Sequence, residues 1–328
     1  MINIIKYSQE NGIQKLLPED FKKWDYKCKE NLWIDIYNAP AEESQEILKN
    51  CFNFHPLAIE DALKHLTDDS VHHPKIDDFD SYLFIVFNGL IEEEKSFKYQ
   101  IFSLSCFLGH NFLITIHNEG SGNTVFKNLN SFVNERSFKK GPDYILNLIL
   151  DEIVDRYYPI LDSFETEIDD VEEELFEGTP GNKTLQRILN LKKELIKLRR
   201  ISAYQKEVLF KLTRGDSELI SSEESAYYRN VYDHLVRVSD TTESYRDYVA
   251  GMLDSYLSIV NNKMNEVMKF LTIIATMILP MTLITGIFGM NFDVIPFLHN
   301  DFGFWISVIS MATIVIVMLI WFKHKKWI

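Results

Sequence analysis

The chain has 328 residues, with 34 Lys and Arg against 48 Asp and Glu, a net charge of −14. Such an acidic balance repels nucleic acid and anionic surfaces at long range, which excludes nucleic acid as a partner. The average hides a division: nearly all the acid precedes Glu266, whereas the last 60 residues are apolar and close on Lys323, His324, Lys325 and Lys326.

Residues 1–141 are expected to form a cytoplasmic α/β domain. The runs 81–87, 100–109 and 111–117 are rich in β-branched and aromatic residues and bounded by polar or Gly positions, as strands are, with helices between them. The first residues are too short and too weakly basic for a secretory signal. Cys28, Cys51 and Cys106 are scattered, without zinc-finger spacing, as in a reduced compartment.

Residues 142–222 are expected to form an acid-rich helical hairpin. The stretch 145–176 repeats apolar residues at three- and four-residue spacing and holds nine acids and no base between Asp162 and Glu177. After the turn at 178–181 a second helix returns with Lys192, Lys193, Lys197, Arg199 and Arg200. Opposite charges across a Gly/Pro turn suit an antiparallel pair, the acid run being either a solvated face or a cation-attracting one.

No proline lies between Pro180 and Pro280, so residues 223–292 read as a stalk helix of over 60 residues, on the order of 100 Å at 1.5 Å per residue, running into a first membrane span at about 270–288. Residues 270–292 and 302–322 carry no charge, and each run exceeds the roughly 20 residues that cross a bilayer core. Lys263 and Lys269 precede the first span and three lysines follow the second, while the connector 289–301 has only Asp293 and Asp301. The positive-inside rule puts both termini in the cytoplasm, the connector outside and the basic tail 323–328 inside. Trp305, Trp321 and Trp327 lie near span ends, as interfacial anchors do.

One stripe follows a spacing of four and three along the long helix: Asp254, Ser258, Asn261, Asn265, Met268, Thr272, Ala275, Leu279, Thr282, Gly286 and Gly289. This repeat keeps one seam facing a bundle axis. Its members are polar, small or unbranched, and the neighbouring Ile273, Ile274, Met277, Ile278, Met281, Ile284 and Ile287 are large and apolar. Small residues at this spacing also serve plain helix packing, but here the polar seam continues upstream of the membrane. Two helices per chain cannot enclose water, so a pore demands a homo-oligomer. The seam carries no charge within the membrane, which suits Mg²⁺, an ion that keeps its water shell; amides and hydroxyls can bond those waters. Met268, Leu271 and Leu279 are candidate apolar gates.

Residues 288–292 read Phe-Gly-Met-Asn-Phe. With NEVMK at 265–269, LTIIAT at 271–276, KKWI at 325–328, HPLAIEDAL at 55–63 and VYDH at 231–234, the chain resembles the CorA magnesium transporter family over most of its length. The resemblance implies a funnel-shaped homopentamer in the plasma (inner) membrane that carries Mg²⁺ inward, with Co²⁺ and Ni²⁺ as further cargo. Gly289 and Met290 would hold the turn of the filter, and Asn291 would bind the ion through its hydration water. Thr282, Gly286 and Asn265 would line the path, with Thr272 on the same seam, and Asp254 would ring the inner exit. It also implies regulatory Mg²⁺ between cytoplasmic domains, and no organic cofactor. Two positions depart from the family. Asn230 stands where an acid often serves as regulatory ligand, which leaves Asp233 or the cluster Glu92, Glu93 and Glu94 to compensate. Phe297 replaces an acid in the outer loop.

Two further readings remain, a zinc-transporting relative and a non-transporting scaffold or Mg²⁺ sensor. No HExxH, Walker A or GxSxG pattern points to an enzyme. His55 and His234 are expected to be structural, and His72 and His73 to lie in a surface loop.

Overall fold

The computed structural model describes the chain except residues 19–20, 22–23, 26, 68–72, 94–96, 119–132, 179, 216, 292–294, 297–301 and 328, and the side chains of 65–67. The expected ligand Glu94 and the connector residues Asp293, Phe297 and Asp301 therefore lie outside the described residues. By contacts the chain forms two compact units, residues 1–252 and 253–328.

The first unit is built on a seven-stranded sheet of order β2-β1-β3-β7-β6-β5-β4. Its strands are β1 (Ile2–Ser8), β2 (Gly12–Leu16), β3 (Asn31–Tyr37), β4 (Lys75–Asp78), β5 (Leu83–Glu92), β6 (Tyr99–Leu108) and β7 (Phe112–His117). All pairs are antiparallel except β3 with β7, which run parallel. Eight successive residues of β5 and all six of β7 are buried, so both faces of the central sheet are covered. One face, with Leu32, Ile34, Phe84, Phe107 and Ile114, packs on α1 (Ala41–Glu46), the π-turn Ile47–Cys51 and α2 (Pro56–Thr67). Alternation sends Trp33, Asp35, Cys106 and Thr115 to the other face.

That face receives α4 (Pro142–Asp155), which follows the short α3 (Glu135–Lys140). The helix expected over 145–176 is two helices, α4 and α5 (Tyr157–Phe176), broken at Arg156. Pro159 is the cause: it has no N–H for the carbonyl of Asp155, and its ring crowds that carbonyl. α5 and α6 (Asn182–Thr213) form the expected hairpin, burying Phe164, Ile168, Val171 and Leu175 of one and Ile188, Leu191 and Leu195 of the other. Arg187 joins them, 2.8 Å from both Glu167 and Glu174. Part of the acid run is thereby a pairing face within the hairpin.

α7 (Ser222–Phe288) is one helix of 67 residues, with Pro280 inside it. Within the first unit it buries Tyr228, Val231, Leu235 and Val238, an apolar stripe of helical period. In the second unit its C-terminal part is joined by α8 (Gly303–His324). Both are long and apolar enough to cross a membrane, and only 6% of each one's most apolar 18-residue stretch is buried. Side chains this apolar and this exposed suit an apolar surrounding such as lipid.

Candidate functional site

All eleven residues of the seam are exposed, ten of them on α7 from Asp254 to Gly286 and Gly289 in the turn that follows. The side turned inward is a different one: Ile273 is buried, and Met277, Met281, Ile284 and Phe288 are half-buried. At about 100° per residue these centre roughly opposite the seam. A cleft of 390 Å³ lined by Ile284, Thr285, Phe288 and Gly289 together with Gly303, Phe304 and Ser307 shows where α7 meets α8. The seam is thus the face of α7 turned away from its own second helix.

The chemistry of the seam is that of a hydrogen-bond acceptor. Thr272 donates its hydroxyl to the carbonyl of Met268 at 2.7 Å, and Thr282 to that of Ile278 at 3.0 Å. With the proton spent inside the helix, each hydroxyl presents lone pairs outward. Waters around a divalent cation are donors, so such a lining matches a hydrated ion, and within the apolar span, from Thr272 to Gly289, it offers no anionic ligand that would strip it. Met268 and Leu279 lie on the same seam, 57% and 68% exposed; Leu271 sits about 100° round from Thr272, on the flank. Asn265 shares a cleft of 520 Å³ with Met268, Lys269, Thr272 and Trp327 of the basic tail.

At its C-terminal end α7 stops at Phe288. The N–H of Gly289 bonds the carbonyl of Thr285 at 2.9 Å and that of Met290 bonds Ile287 at 3.3 Å, which leaves Asn291 exposed beyond the turn. A Cβ on Gly289 would stand 3.0 Å from the Thr285 oxygen, so a larger residue there must move that carbonyl by a few tenths of an ångström.

In the first unit, the nominated regulatory residues lie on separate elements of the one chain, as ligands shared between neighbouring domains would. Asn230 and Asp233 are exposed on α7, while Glu92 ends β5 and Glu93 accepts from Gln100 at 3.4 Å. Among the described residues, the group whose ligand atoms converge is Asp151 and Asp155 of α4 with His234 of α7, all within 4.8 Å of one another. His234 Nδ1 lies 3.5 Å from an Asp155 oxygen, and both that nitrogen and Asp151 Oδ1 are buried without a hydrogen bond. Burial and the neighbouring Asp155 charge push the Asp151 carboxyl above its usual range, opposed by His234. Two carboxylates and an imidazole can hold a divalent cation that keeps waters on its remaining positions. Asp151 and Asp155 stand one helical turn apart, a signal readable in the sequence; His234 is brought to them only by packing. His55, by contrast, is structural: its Nδ1 accepts from Leu57 N–H at 3.3 Å at the start of α2, and its ring stacks on Phe79. His73 is exposed and meets the Tyr204 ring edge-on, while His72 lies outside the described residues.

The cobalt/magnesium transport protein CorA of Thermotoga maritima is 38% identical over 300 residues, covering 90% of this chain and 83% of that protein. Its namesake in Methanocaldococcus jannaschii is 28% identical over 333 residues and covers both chains fully. The complete structure of the latter transporter superposes with a TM-score of 0.82 at 26% identity, over 100% of this chain and 99% of that one. The family model described as CorA-like Mg²⁺ transporter protein matches residues 29–324, and the chain belongs to that family.

Proposed function

We propose that the chain forms a homopentameric channel that admits Mg²⁺ into the cell across the plasma membrane, with both termini in the cytoplasm and Co²⁺ and Ni²⁺ as further cargo. The observation that carries this reading is the exposed seam of α7, from Asp254 to the turn before Asn291, whose Thr272 and Thr282 present acceptors between small and apolar positions. Five copies with that seam on a common axis would line a path whose walls bond the ion's water and leave its charge hydrated. Asn291 would select the hydrated ion at the mouth, Asp254 would concentrate cations at the inner exit, and Met268, Leu271 and Leu279 would close the path by dewetting. The seam holds no His or Cys, the ligands by which a softer metal such as zinc would be stripped and held. The inside-negative potential supplies about 2.3 kcal/mol per charge per 100 mV.

We further assign regulatory Mg²⁺ to Asp151, Asp155 and His234. Two uncoordinated buried ligand atoms support that assignment, and Asp233 is the nearest of the nominated acids in sequence. The test is uptake of Mg²⁺ into proteoliposomes, read by a lumenal dye, for the wild type and Asn291→Ala. Uptake that depends on the protein and collapses in the variant supports the channel and its filter. Uptake of Zn²⁺ without Mg²⁺, or of neither ion, overturns the reading.

A further inference from the structure

The first turn of α7 is fastened to the corner between α3 and α4 by a set of polar contacts, buried at Asp143, Tyr228 and Glu224 and exposed at Lys140. Gly141 alone joins the two helices, at φ 122°, where only glycine sits without strain. Asp143, buried in the first turn of α4, accepts from the Ser221 N–H at 3.1 Å, and its backbone carbonyl accepts from the buried Tyr228 hydroxyl at 2.7 Å. Lys140, the last residue of α3, reaches α7: its ammonium lies 4.0 Å and 4.4 Å from the ring centres of Tyr144 and Tyr227 and 3.4 Å from Glu224. Glu224 is 3% exposed, and its second oxygen has no hydrogen-bond partner. Among the described residues, the one charge that compensates this buried carboxylate is the Lys140 ammonium, stacked on two rings and 40% exposed.

The same two helices meet again further along. Asp143 holds Ser221 and Tyr228, and Asp155 lies beside His234, so α4 and α7 run side by side in the same direction. α4 therefore touches α7 at two stations: a closed polar corner at its start, and a pair of carboxylates facing an imidazole at its end.

We propose that the Lys140–Glu224 contact is a positioning element that pins the first turn of α7, so that cation binding at Asp151, Asp155 and His234 is felt by α7 beyond that turn. A clamp that tightens at one station can shift a helix only relative to a fixed point. The corner supplies it, because the bonds of Asp143 to Ser221 and Tyr228 and the Lys140–Glu224 contact are made by the chain's own groups, without a cation. Lys140 and Glu224 touch neither the seam nor the cation ligands, so their effect is on how internal Mg²⁺ governs flux and not on conduction. This inference rests on the regulatory assignment made above.

The test measures proteoliposome uptake against lumenal Mg²⁺ for the wild type, Lys140→Met, Glu224→Gln and Lys140→Arg, with Asp151→Asn in parallel. Lys140→Met and Glu224→Gln should keep wild-type uptake at low lumenal Mg²⁺ and shift the half-inhibiting concentration by about 2- to 30-fold, the range found for residues that couple distant sites. Lys140→Arg, which keeps the cation and its stacking, should restore the wild-type value. Hydrogen exchange in the same preparations provides a reading free of transport. Residues 222–228 should be equally protected with and without Mg²⁺ in the wild type, and their protection should become Mg²⁺-dependent in Glu224→Gln. Unchanged half-inhibition with only a lowered melting temperature reduces the contact to a plain structural anchor and overturns the proposal. So does wild-type protection of 222–228 that already follows Mg²⁺. Loss of regulation in neither the corner variants nor Asp151→Asn would instead overturn the regulatory assignment on which it rests.

Discussion

Thr272 gives its one hydroxyl proton to the carbonyl of Met268, 2.7 Å away, and so faces outward as an acceptor. Thr272→Val keeps the shape and removes the lone pairs. One hydrogen bond is worth about 0.5–1.5 kcal/mol net, so each subunit's loss should lower Mg²⁺ flux by about 2- to 12-fold. Thr272→Ser should retain flux. Uptake of the two variants at matched protein density checks this, and equal flux from both would remove the hydroxyl from the path.

Gly289 closes the helix end where a Cβ would stand 3.0 Å from the Thr285 oxygen. In Gly289→Ala the turn must open by a few tenths of an ångström and carry Asn291 with it. The expected result is a protein that assembles normally by size-exclusion chromatography yet discriminates poorly between Mg²⁺ and Ca²⁺ in a competition uptake assay. Intact discrimination would show that the turn tolerates the methyl group.

Asp151 is held above its usual carboxylate range by burial and by Asp155. Removing its charge relieves a repulsion and also deletes a cation ligand. Asp151→Asn should match or exceed the wild-type melting temperature in chelator and lose the Mg²⁺-induced rise. For a single site that rise corresponds to about 2.7 kcal/mol at a hundredfold excess over the dissociation constant. Differential scanning fluorimetry with and without Mg²⁺ reads both effects.

Burial pushes the Glu224 carboxyl up, with Lys140 opposing and Asp143 and Glu223 adding to the shift. The folded state then holds a proton that the unfolded chain has released, so stability falls as pH rises from the ordinary carboxylate value through the raised one. Above that window the loss is complete. Glu224→Gln should flatten this part of the melting-temperature profile, and a slope unchanged in the variant would assign it to other groups.

Arg187 bridges Glu167 and Glu174 from α6 to α5, at 2.8 Å each. These groups are partly exposed, and exposed pairs contribute about 0–1 kcal/mol each, screened by salt. Arg187→Ala should therefore lower stability to denaturant by no more than about 2 kcal/mol, with the difference shrinking at high ionic strength.

Much of this architecture was legible from the order of residues alone. Two uncharged runs longer than a bilayer core specify two candidate spans, and Lys263, Lys269 and Lys323 beside them supply the expected orientation, because hydropathy and flanking charge are one-dimensional quantities. The seam from Asp254 to Gly289 was equally readable, since a helix converts spacing directly into a face. The same logic gave the α5–α6 hairpin, and it would have given the break at Pro159 had that residue been weighed against the apolar period. Tertiary structure alone decided what depends on contacts between distant segments. The parallel pairing of β3 with β7, the meeting of His234 with Asp151 and Asp155, and the burial of Glu224 against Lys140 join residues that no periodicity relates. A carboxylate reads the same on a solvated face as in a packed one, and only the fold determines which acids lose their water and need a cation in its place.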